Sequence, residues 1–385
     1  MNFKTGKLNS NAADPHGEYP FFTCSRETFR TNTYSFDGPY ILLAGNNAAG
    51  IYPLKYFEGK FDAYQRTYVI DVGREDVLNL RYLFYALETK LAHLRSISTG
   101  AATKFLTLKL LNRLEVPTPP LPTQKKIASI LSAYDDLIEN NEKRIKILEE
   151  MARSLYREWF VHFRFPDHDS VKMVDSEMGK IPEGWEVRKL GDIAREDRRS
   201  IPKGKLDVPT RYVGLEHIPR KSLALNSWDT VEELGSNKLL FNEDEILFGK
   251  IRPYFHKVSI APFEGICSAD TIVISEKDRI HREIVTAVVS SEDFVAHATS
   301  TSNGSKMPRA NWKVLVGYPL AIPSCEKLLS TFGESFRSLT QLQKVLVKQN
   351  ENLRDTRDLL LPRLISGELD VSELDIQEIQ TGGGD

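Results

Sequence analysis

One stretch decides the fold: residues 123–160, which read TQKKIASILSAYDDLIENNEKRIKILEEMARSLYREWF. Its seam positions alternate in steps of four and three residues, at Ile127, Leu131, Tyr134, Ile138, Asn141, Ile145, Leu148, Ala152, Leu155 and Trp159. This is the a/d pattern of a coiled coil. It predicts a helix from about residue 124 to residue 160, with Thr123 as the N-cap.

A second stretch near the C-terminus has the same periodicity. Its predicted seam is Phe332, Ser335, Leu339, Leu342, Leu346, Gln349, Leu353, Thr356 and Leu360, and Pro362 and Gly367 are expected to end the helix. Two helices with matched seams should pack on each other, antiparallel if a folded domain lies between them. The polar seam residues Asn141 and Gln349 are expected to fix the register. Pairing of one helix with a partner protein is the alternative.

The chain also repeats itself outside the helices. ILLAGN at 41–46 lies opposite EILFGK at 245–250, and TYVI at 67–70 opposite TIVI at 271–274, both with an offset of 204. Lys104 matches Lys306 with an offset of 202. A repeat that keeps one order along half a chain indicates duplication. The alternative is two similar strand-rich patches and two unrelated helices.

Each half shows the same order of predicted elements. Runs rich in β-branched and aromatic residues come first, then a proline-rich strip at 116–122 or 318–323, then a long helix. The sequence therefore predicts an α+β fold with a pseudo-twofold internal repeat, in which two similar β-rich domains are separated by two long helices packed as an antiparallel coiled coil. The expected boundaries are 1–122 for the first domain, 123–164 for the central helix, 165–180 for a linker, 181–323 for the second domain, 324–364 for the C-terminal helix and 365–385 for an acidic tail.

Composition narrows the class of protein. The chain has 385 residues, a net charge of −2 and three widely spaced cysteines, so neither a disulfide framework nor a zinc ribbon is indicated. No apolar run approaches the roughly 18 residues of a membrane helix, and no signal peptide follows Met1, so a cytoplasmic location is expected. Six acidic and no basic residues follow Arg363; without that tail the chain carries −2 + 6 = +4, which permits DNA binding.

Motifs for catalysis are absent from the sequence. Gly45 and Gly50 have the spacing of a phosphate-binding loop, but Ile51 and Tyr52 stand where that loop needs Lys and Ser or Thr. The TPPL at 118–121 lacks the amide and the aromatic residue of an adenine-flipping methyltransferase motif. The histidines are scattered, and a solvated linker explains His162 and His168 better than a metal site does. No catalytic residue and no metal ligand is predicted.

Basic, amide and aromatic side chains recur in loops next to predicted strands in both halves. Arg and Lys suit guanine edges and phosphates, and Asn suits adenine. The predicted DNA-binding residues of the first half are Lys7, Asn9, Asn11, Arg26, Asn46, Asn47, Arg66, Thr103 and Lys104. Those of the second half are Arg195, Arg198, Arg199, Lys203, Lys205, Lys250, Arg252, Tyr254, Lys306, Arg309 and Asn311.

Three segments resemble the specificity subunits of Type I restriction–modification systems. PPLPTQKKIA at 119–128, continued to Phe160, looks like the family's central helix. IPEGWEVRKLGD at 181–192 looks like the opening of a target recognition domain, and LLLPRLISGEL at 359–369 like the end of the second helix. The resemblance covers nearly the whole chain, although the first half has no counterpart of residues 184–192 before Lys4, as if about twenty residues were absent by the offset of the repeat.

The resemblance implies a non-catalytic subunit with two target recognition domains, each reading one half of a split site in double-stranded DNA. The helices would set the spacer and dock two methyltransferase subunits, and restriction/translocase subunits would join the complex. S-adenosylmethionine, ATP and magnesium would belong to those partners. The aromatic end of the central helix, Tyr156, Trp159 and Phe160, is the predicted partner-binding site because exposed aromatic clusters are typical of interfaces.

Two other functions fit part of the sequence. A single-chain restriction enzyme would carry similar recognition domains, but it needs nuclease and methyltransferase motifs. A coiled-coil assembly protein would explain the helices and leave the duplicated domains without a role.

Overall fold

The computed structural model describes residues 1–47, 50–98 and 103–374. The chain divides into two compact units, Met1–Ile138 with Leu353–Asp385 as unit 1 and Glu139–Asn352 as unit 2. Ala48 and Ala49 of the glycine-spaced loop, and residues 375–385 of the predicted acidic tail, lie outside the described residues. The domain boundaries given above stay a prediction.

Unit 1 is built on a six-stranded sheet. Its described strands β1–β8 are Asn2–Thr5, Tyr19–Phe22, Thr28–Thr31, Phe36–Ala44, Asn46–Asn47, Leu54–Ala63, Thr67–Asp71 and Lys104–Phe105. The sheet has the order β1-β7-β4-β6-β2-β3, and β5 pairs with β8 as a separate short ribbon. Helices α1–α3 are Leu80–Glu88, Leu91–Ile97 and Leu108–Leu111, and Ser10–Ala12 is a 3-10 turn. Helix α1 packs its buried Leu83 and Leu87 on the sheet side chains Ile41, Leu43 and Ile70.

Unit 2 contains a four-stranded sheet and a five-stranded sheet. Strands β9–β21 are Met173–Ser176, Gly179–Pro182, Trp185–Lys189, Ala194–Glu196, Ser200–Ile201, Gly204–Val213, Asp229–Leu234, Lys238–Phe241, Ile246–Gly249, Val258–Ile260, Gly265–Cys267, Thr271–Glu276 and Pro319–Pro323. The sheet orders are β12-β20-β17-β18 and β13-β16-β19-β14-β15, and the pairs β9–β10 and β11–β21 stand apart. Helices α5–α8 are Leu190–Ile193, Arg282–Val289, Glu292–Ser300 and Trp312–Leu315; single 3-10 turns are His168–Ser170, Pro253–Phe255 and Arg279–His281.

Two long helices complete the chain. The first, α4, is Leu121–Tyr156 and continues as a π-helical turn, Arg157–Val161. It begins before the predicted Thr123 cap, because Pro122 fits the first helical turn, where its missing N–H has no partner to lose. The second, α9, is Glu326–Ser366 and contains Pro362, so that proline does not end it. Gly367, with φ of +80°, follows its last residue as predicted.

The two helices run antiparallel within each unit. In unit 2, Asn141 Nδ2 donates to Asn350 Oδ1 at 2.9 Å, and Ile145 clusters with Leu346. In unit 1, Arg357 Nη1 donates to Asp135 Oδ1 at 2.6 Å, whereas Lys126, earlier in α4, donates through Nζ to Ser372 O, which follows the end of α9. The residue numbers rise along one helix as they fall along the other, which is the direction predicted from the matched seams.

The predicted seam is right for α4 and half right for α9. Phe332 and Leu346 are buried as predicted, but Ser335, Leu342 and Gln349 are exposed. Phe336, Gln343 and Asn350 are buried in their place. The predicted and the buried positions both repeat every seven residues. From Phe332, the predicted positions step by three and then four residues, whereas the buried positions step by four and then three. The prediction chose Leu342 as apolar, whereas the structure pairs Asn350 with Asn141 and leaves Leu342 on the surface.

The internal repeat is confirmed, with one change of register. Strands β4 and β7 pair Ile41 with Ile70 and Ala44 with Thr67. Strands β17 and β20 pair Ile246 with Ile274 and Gly249 with Thr271. Ile41 therefore corresponds to Ile246, at an offset of 205, and not to Glu245 as the sequence match had it. The α+β fold with two similar β-rich domains and two long helices is the predicted fold class.

Candidate nucleic-acid interface

Three chain segments meet at one end of β4 and β7 in unit 1. Gly45 N donates to Arg66 O at 2.8 Å, and Leu106 N donates to Gly45 O at 2.8 Å. Between them, Asn46 and Asn47 pair with Phe105 and Lys104 in the β5–β8 ribbon. The guanidinium of Arg66 lies 5.5 Å from the ring centroid of Phe105. We call these six residues (Gly45, Asn46, Asn47, Arg66, Lys104 and Phe105) the first corner.

Neighbouring loops are tied to the first corner. The thiol of Cys24 donates to Asn46 Oδ1 at 2.9 Å, and exposed Arg26 follows Cys24 by two residues. Gln65 N donates to Leu8 O at 2.9 Å, so Lys7 and Asn9 flank a residue bonded to the turn that carries Arg66. Lys7, Asn9, Asn11, Arg26 and Arg66 are exposed, and Asn46, Asn47, Thr103 and Lys104 are half-buried. Most of the predicted DNA-binding residues of the first half thus come together.

The same backbone arrangement recurs in unit 2. Lys250 N donates to Asp270 O at 2.8 Å, and Ala310 N donates to Lys250 O at 3.0 Å. Arg252 N donates to Pro308 O at 2.8 Å, which brings Ile251 opposite Arg309. The matching hydrogen bonds make Gly45 equivalent to Lys250, Arg66 to Asp270, and Phe105 to Arg309. We call Lys250, Ile251, Asp270, Pro308, Arg309 and Ala310 the second corner.

Charge is distributed differently in the second corner. Arg309 is exposed and lies 3.4 Å from Asp270 in an ion pair, and the ammonium of Lys250 donates to Ala269 O at 3.0 Å. Burial lowers the pKa of Lys250. The nearby carboxylates of Glu196 and Asp270 act against this shift, and the charge of Arg198 adds to it. Exposed Arg198 therefore lies in the electrostatic neighbourhood of Lys250. Arg195 is also exposed and forms an ion pair with Asp197 at 3.2 Å on the strand that leads to this corner.

A strained loop follows Lys250. Arg252 and His256 have φ of +50° and +51°, in the left-handed region that β-carbons disfavour. Between them, Tyr254 is exposed. Lys306 is exposed in the adjoining loop, which closes where Asn303 pairs with Arg309. Backbone strain is commonly retained at binding sites, where the surrounding structure holds it in place.

Four predicted residues of the second half have other contacts. Arg199 pairs with the buried carboxylate of Glu245, in a contact that joins the residue before β13 to the residue before β17. The Asn311 side chain accepts from Lys313 N at 3.1 Å as the N-cap of α8, the place that Thr107 has on α3. Lys205 lies in β14 of the five-stranded sheet, where it faces Glu233 on β15, and Lys203 lies just before β14, where its N donates to Asn237 Oδ1 at 3.0 Å. The structure does not bring these four into the second corner.

Three aromatic or acidic side chains at the corners were not predicted from the sequence: Phe105 and Asp270 are corner residues, and Glu196 lies in the electrostatic neighbourhood of Lys250. Phe105 directly follows Lys104, so a base-sized aromatic platform beside a cation was readable from the sequence. Glu196 and Asp270 carried no signal, because acidic residues near DNA act through the lysine and arginines that they pair with.

The aromatic end of α4 differs from its prediction. Trp159 and Phe160 are each 8% exposed and pack on Phe332, so their assignment to an exposed partner surface is wrong. They are core residues because the π-helical turn directs them into the hydrophobic cluster of unit 2. Tyr156 is half-buried and lines a cavity of about 350 Å³ together with Arg153, Arg157, Val161 and Asp293.

Other kinds of site were sought in the described residues. Among residues 1–47, 50–98 and 103–374, no group of three or more His, Cys, Asp or Glu side chains is arranged to hold a metal ion. No described helix is long and apolar enough to cross a membrane.

Comparison with known proteins gives a consistent picture. Residues 2–150 and 182–352 match the model of the Type I restriction modification DNA specificity domain. The EcoDI specificity subunit of Escherichia coli is 27% identical over 394 residues, covering 96% of this chain and 86% of that one. The MjaIX specificity subunit of Methanocaldococcus jannaschii is 29% identical over 309 residues, covering 76% and 70%.

A solved structure shares the fold. The S subunit of a Type I restriction-modification system from M. genitalium aligns over 94% of this chain and 93% of that one, with a TM-score of 0.59 and 16% sequence identity. The family match spans two segments that together make up well over half of the chain. This protein belongs to the Type I restriction-modification DNA specificity family.

Proposed function

We propose that this chain is the DNA-reading subunit of a Type I restriction–modification complex. Each corner reads one half of a bipartite site in double-stranded DNA, and the chain itself performs no catalysis. The observation that carries the proposal is that one three-segment backbone arrangement occurs twice with different side chains. Arg, Lys and Asn side chains at strand ends suit phosphates and base edges, and different side chains on one scaffold suit two different half-sites.

The partners and cofactors follow from the same proposal. Two methyltransferase subunits would supply S-adenosylmethionine chemistry, and restriction/translocase subunits would use ATP and magnesium. The burial of Trp159 and Phe160 moves the proposed methyltransferase dock to the solvent-facing side of the helices. Ile147 and Met151 lie one turn apart on α4 and are 60% and 51% exposed. Exposed apolar pairs of this kind are typical of interfaces. A cytoplasmic location stays a prediction.

A map of methylated adenines tests the reading function. Cells that express the partner subunits with this chain should carry one bipartite methylated motif, and cells without this chain should lack it. The purified complex should also bind a duplex with that motif much more tightly than a scrambled duplex, by a factor of about 10³ or more. Equal affinity for both duplexes would contradict the proposal.

The length of the helices is proposed to set the spacer between half-sites. The hydrogen-bonded seam partners Asn141 and Asn350 of unit 2 have residue numbers that add to 491, and Ile145 and Leu346, which share one hydrophobic cluster, have the same sum. Removal of 140–146 together with 345–351 takes out one heptad from each helix, spares Ile147 and Met151, and keeps the remaining partners in register. The rod shortens by about 10 Å, so the preferred spacer should contract by roughly three base pairs.

Methylation mapping of the deletion variant decides this part of the proposal. Both half-site sequences should stay the same while the spacer shortens. As a control, Glu139→Gln alters an exposed glutamate on α4 that pairs with Lys143, and it should leave the spacer unchanged. A folded deletion variant that methylates the original site with its original spacer would contradict the role of the helices.

A further inference from the structure

A buried carboxylate on α4 holds one loop of unit 2. Glu149 is 4% exposed, and its Oε1 accepts hydrogen bonds from Ser222 Oγ at 2.6 Å, Leu223 N at 2.8 Å and Ala224 N at 3.1 Å. The next turn of α4 contributes Arg153, whose Nη2 donates to Lys221 O at 2.9 Å. Three donors on one oxygen are unusual for a glutamate in the middle of a helix, where such side chains normally face solvent.

The held loop lies against the strained loop of the second corner. Lys221 N donates to His256 O at 2.8 Å, and Ile260 N donates to Leu223 O at 2.9 Å. The backbones of Arg220 and Lys257 form an antiparallel β-bridge. The guanidinium of Arg220 lies 4.3 Å from the ring centroid of Phe255. The segment 220–224, which we call the coupling segment, thus runs along residues 255–260, directly after the loop that carries Lys250, Arg252 and Tyr254.

The far side of that loop is bonded to the residue that precedes the N-cap of α7. His256 Nε2 lies 2.9 Å from Ser290 O, at the residue before the N-cap of α7. The loop has two residues with positive φ, Arg252 and His256, so its conformation depends on the contacts around it. The coupling segment and Ser290 supply those contacts from two sides.

We infer that Glu149 is a positioning residue for DNA reading: through the coupling segment, it sets the conformation of the loop that follows Lys250. This inference rests on the proposed function and extends it from the residues that face DNA to one buried in the helix. A change in α4 at Glu149 then reaches the second corner through hydrogen bonds within unit 2. The first corner has no part in this route.

A double-mutant cycle in DNA binding tests the inference. The full chain in complex with its methyltransferase partner is titrated with a duplex that carries the mapped bipartite site, at fixed salt. Glu149→Ala should weaken binding of the folded complex about tenfold, which corresponds to 1.4 kcal/mol. In the Lys250→Ala background the same change should weaken binding only about threefold, because the two residues act on one loop.

Conservative variants separate positioning from folding. Glu149→Gln keeps a neutral oxygen acceptor and should recover part of the lost affinity, and Ser222→Ala removes one donor and should show the same non-additivity with Lys250→Ala. If Glu149→Ala does not fold, these two variants complete the cycle. The exposed glutamate of the control variant Glu139→Gln should leave affinity unchanged.

Each outcome has one meaning. Additive effects of Glu149→Ala and Lys250→Ala, or unchanged affinity in the folded Glu149→Ala complex, would overturn the positioning role and leave the DNA site intact. Unchanged affinity in Lys250→Ala alone would overturn the second corner as a DNA site, and the inference with it.

Discussion

The two corners have the same backbone and opposite side-chain chemistry. Where unit 1 has Gly45, Arg66 and Phe105, unit 2 has Lys250, Asp270 and Arg309 at the positions that the hydrogen bonds make equivalent. The first corner places the Arg66 guanidinium over the Phe105 ring, and the second places Lys250 and Arg309 around the Asp270 carboxylate. A duplicated scaffold can therefore present two surfaces of different sequence preference without a change of fold.

Equivalent positions of the two corners also distinguish candidate DNA-contacting residues from residues that stabilise the fold. Thr107 and Asn311 stand at equivalent places and both cap a short helix, so their similarity is structural. Arg66 and Asp270 stand at equivalent places and share nothing chemically. Positions that differ in charge on a shared backbone are the better candidates for base and phosphate contact.

The largest expected effect is the loss of one arginine from each corner. Arg66→Ala and Arg309→Ala should each weaken binding of the mapped duplex by about 1–3 kcal/mol and relax preference in one half-site only, because an arginine on a base edge discriminates by that amount. Binding titrations against duplexes altered in either half-site measure this. Asp270→Asn is the matched control: it removes the carboxylate and should strengthen binding to any duplex.

The next effect distinguishes a phosphate contact from a base contact. Lys250→Met should weaken binding to all duplexes alike and reduce the slope of log affinity against log salt by about 1, because one fewer counterion is released. Unit 1 has Gly45 at this place, so its corner offers no matching cation. A loss confined to the mapped sequence, with an unchanged salt slope, would make Lys250 a base reader.

The sequence predicted the fold better than it predicted the site. Heptads reveal α4 because its seam is apolar at almost every position, but α9 carries Gln343, Asn350 and Arg357 at seam positions, and the apolar Leu342 beside them misleads. Only the partner helix decides which side of α9 is buried. Trp159 and Phe160 read as an exposed cluster because the sequence does not reveal the π-helical turn that buries them.

The corners were predicted as sets of residues and not as an arrangement. Matching letters aligned Gly45 with Gly249, whereas hydrogen bonds align Gly45 with Lys250. A strand shifted by one residue has the same composition, so only pairing with the neighbouring strand reveals the shift. Arg199 and Asn311 were predicted to bind DNA because their side chains suit phosphates and bases. In the structure, Arg199 forms an ion pair with Glu245 and Asn311 caps a helix.

A smaller effect concerns the aromatic platform. Phe105→Ala removes the ring beneath the Arg66 guanidinium and should cost about 0.5–1 kcal/mol of DNA affinity, restricted to the first half-site. The second corner has Arg309 at this place, so Arg309→Phe should shift its preference without loss of the fold. If Phe105→Ala weakens binding as much as Arg66→Ala does, the ring itself contacts DNA.

The smallest effect is on stability. Burial lowers the pKa of Lys250, so its protonated form costs folding free energy at neutral pH. In the absence of DNA, Lys250→Met should raise the free energy of unfolding at neutral pH. The difference should shrink as pH rises, because the neutral lysine of the wild-type chain no longer resists burial. Urea unfolding at several pH values measures it, and a gap that widens with pH would contradict the assignment.

One measurement tests the central claim that each corner reads its own half-site. Methylated adenines are mapped in cells that carry the partner subunits with the wild-type chain, with Arg66→Ala or with Arg309→Ala. We expect one bipartite motif for the wild-type chain, relaxation of one half in Arg66→Ala, and relaxation of the other half in Arg309→Ala. Relaxation of the same half by both variants, or an unchanged motif in both, would contradict it.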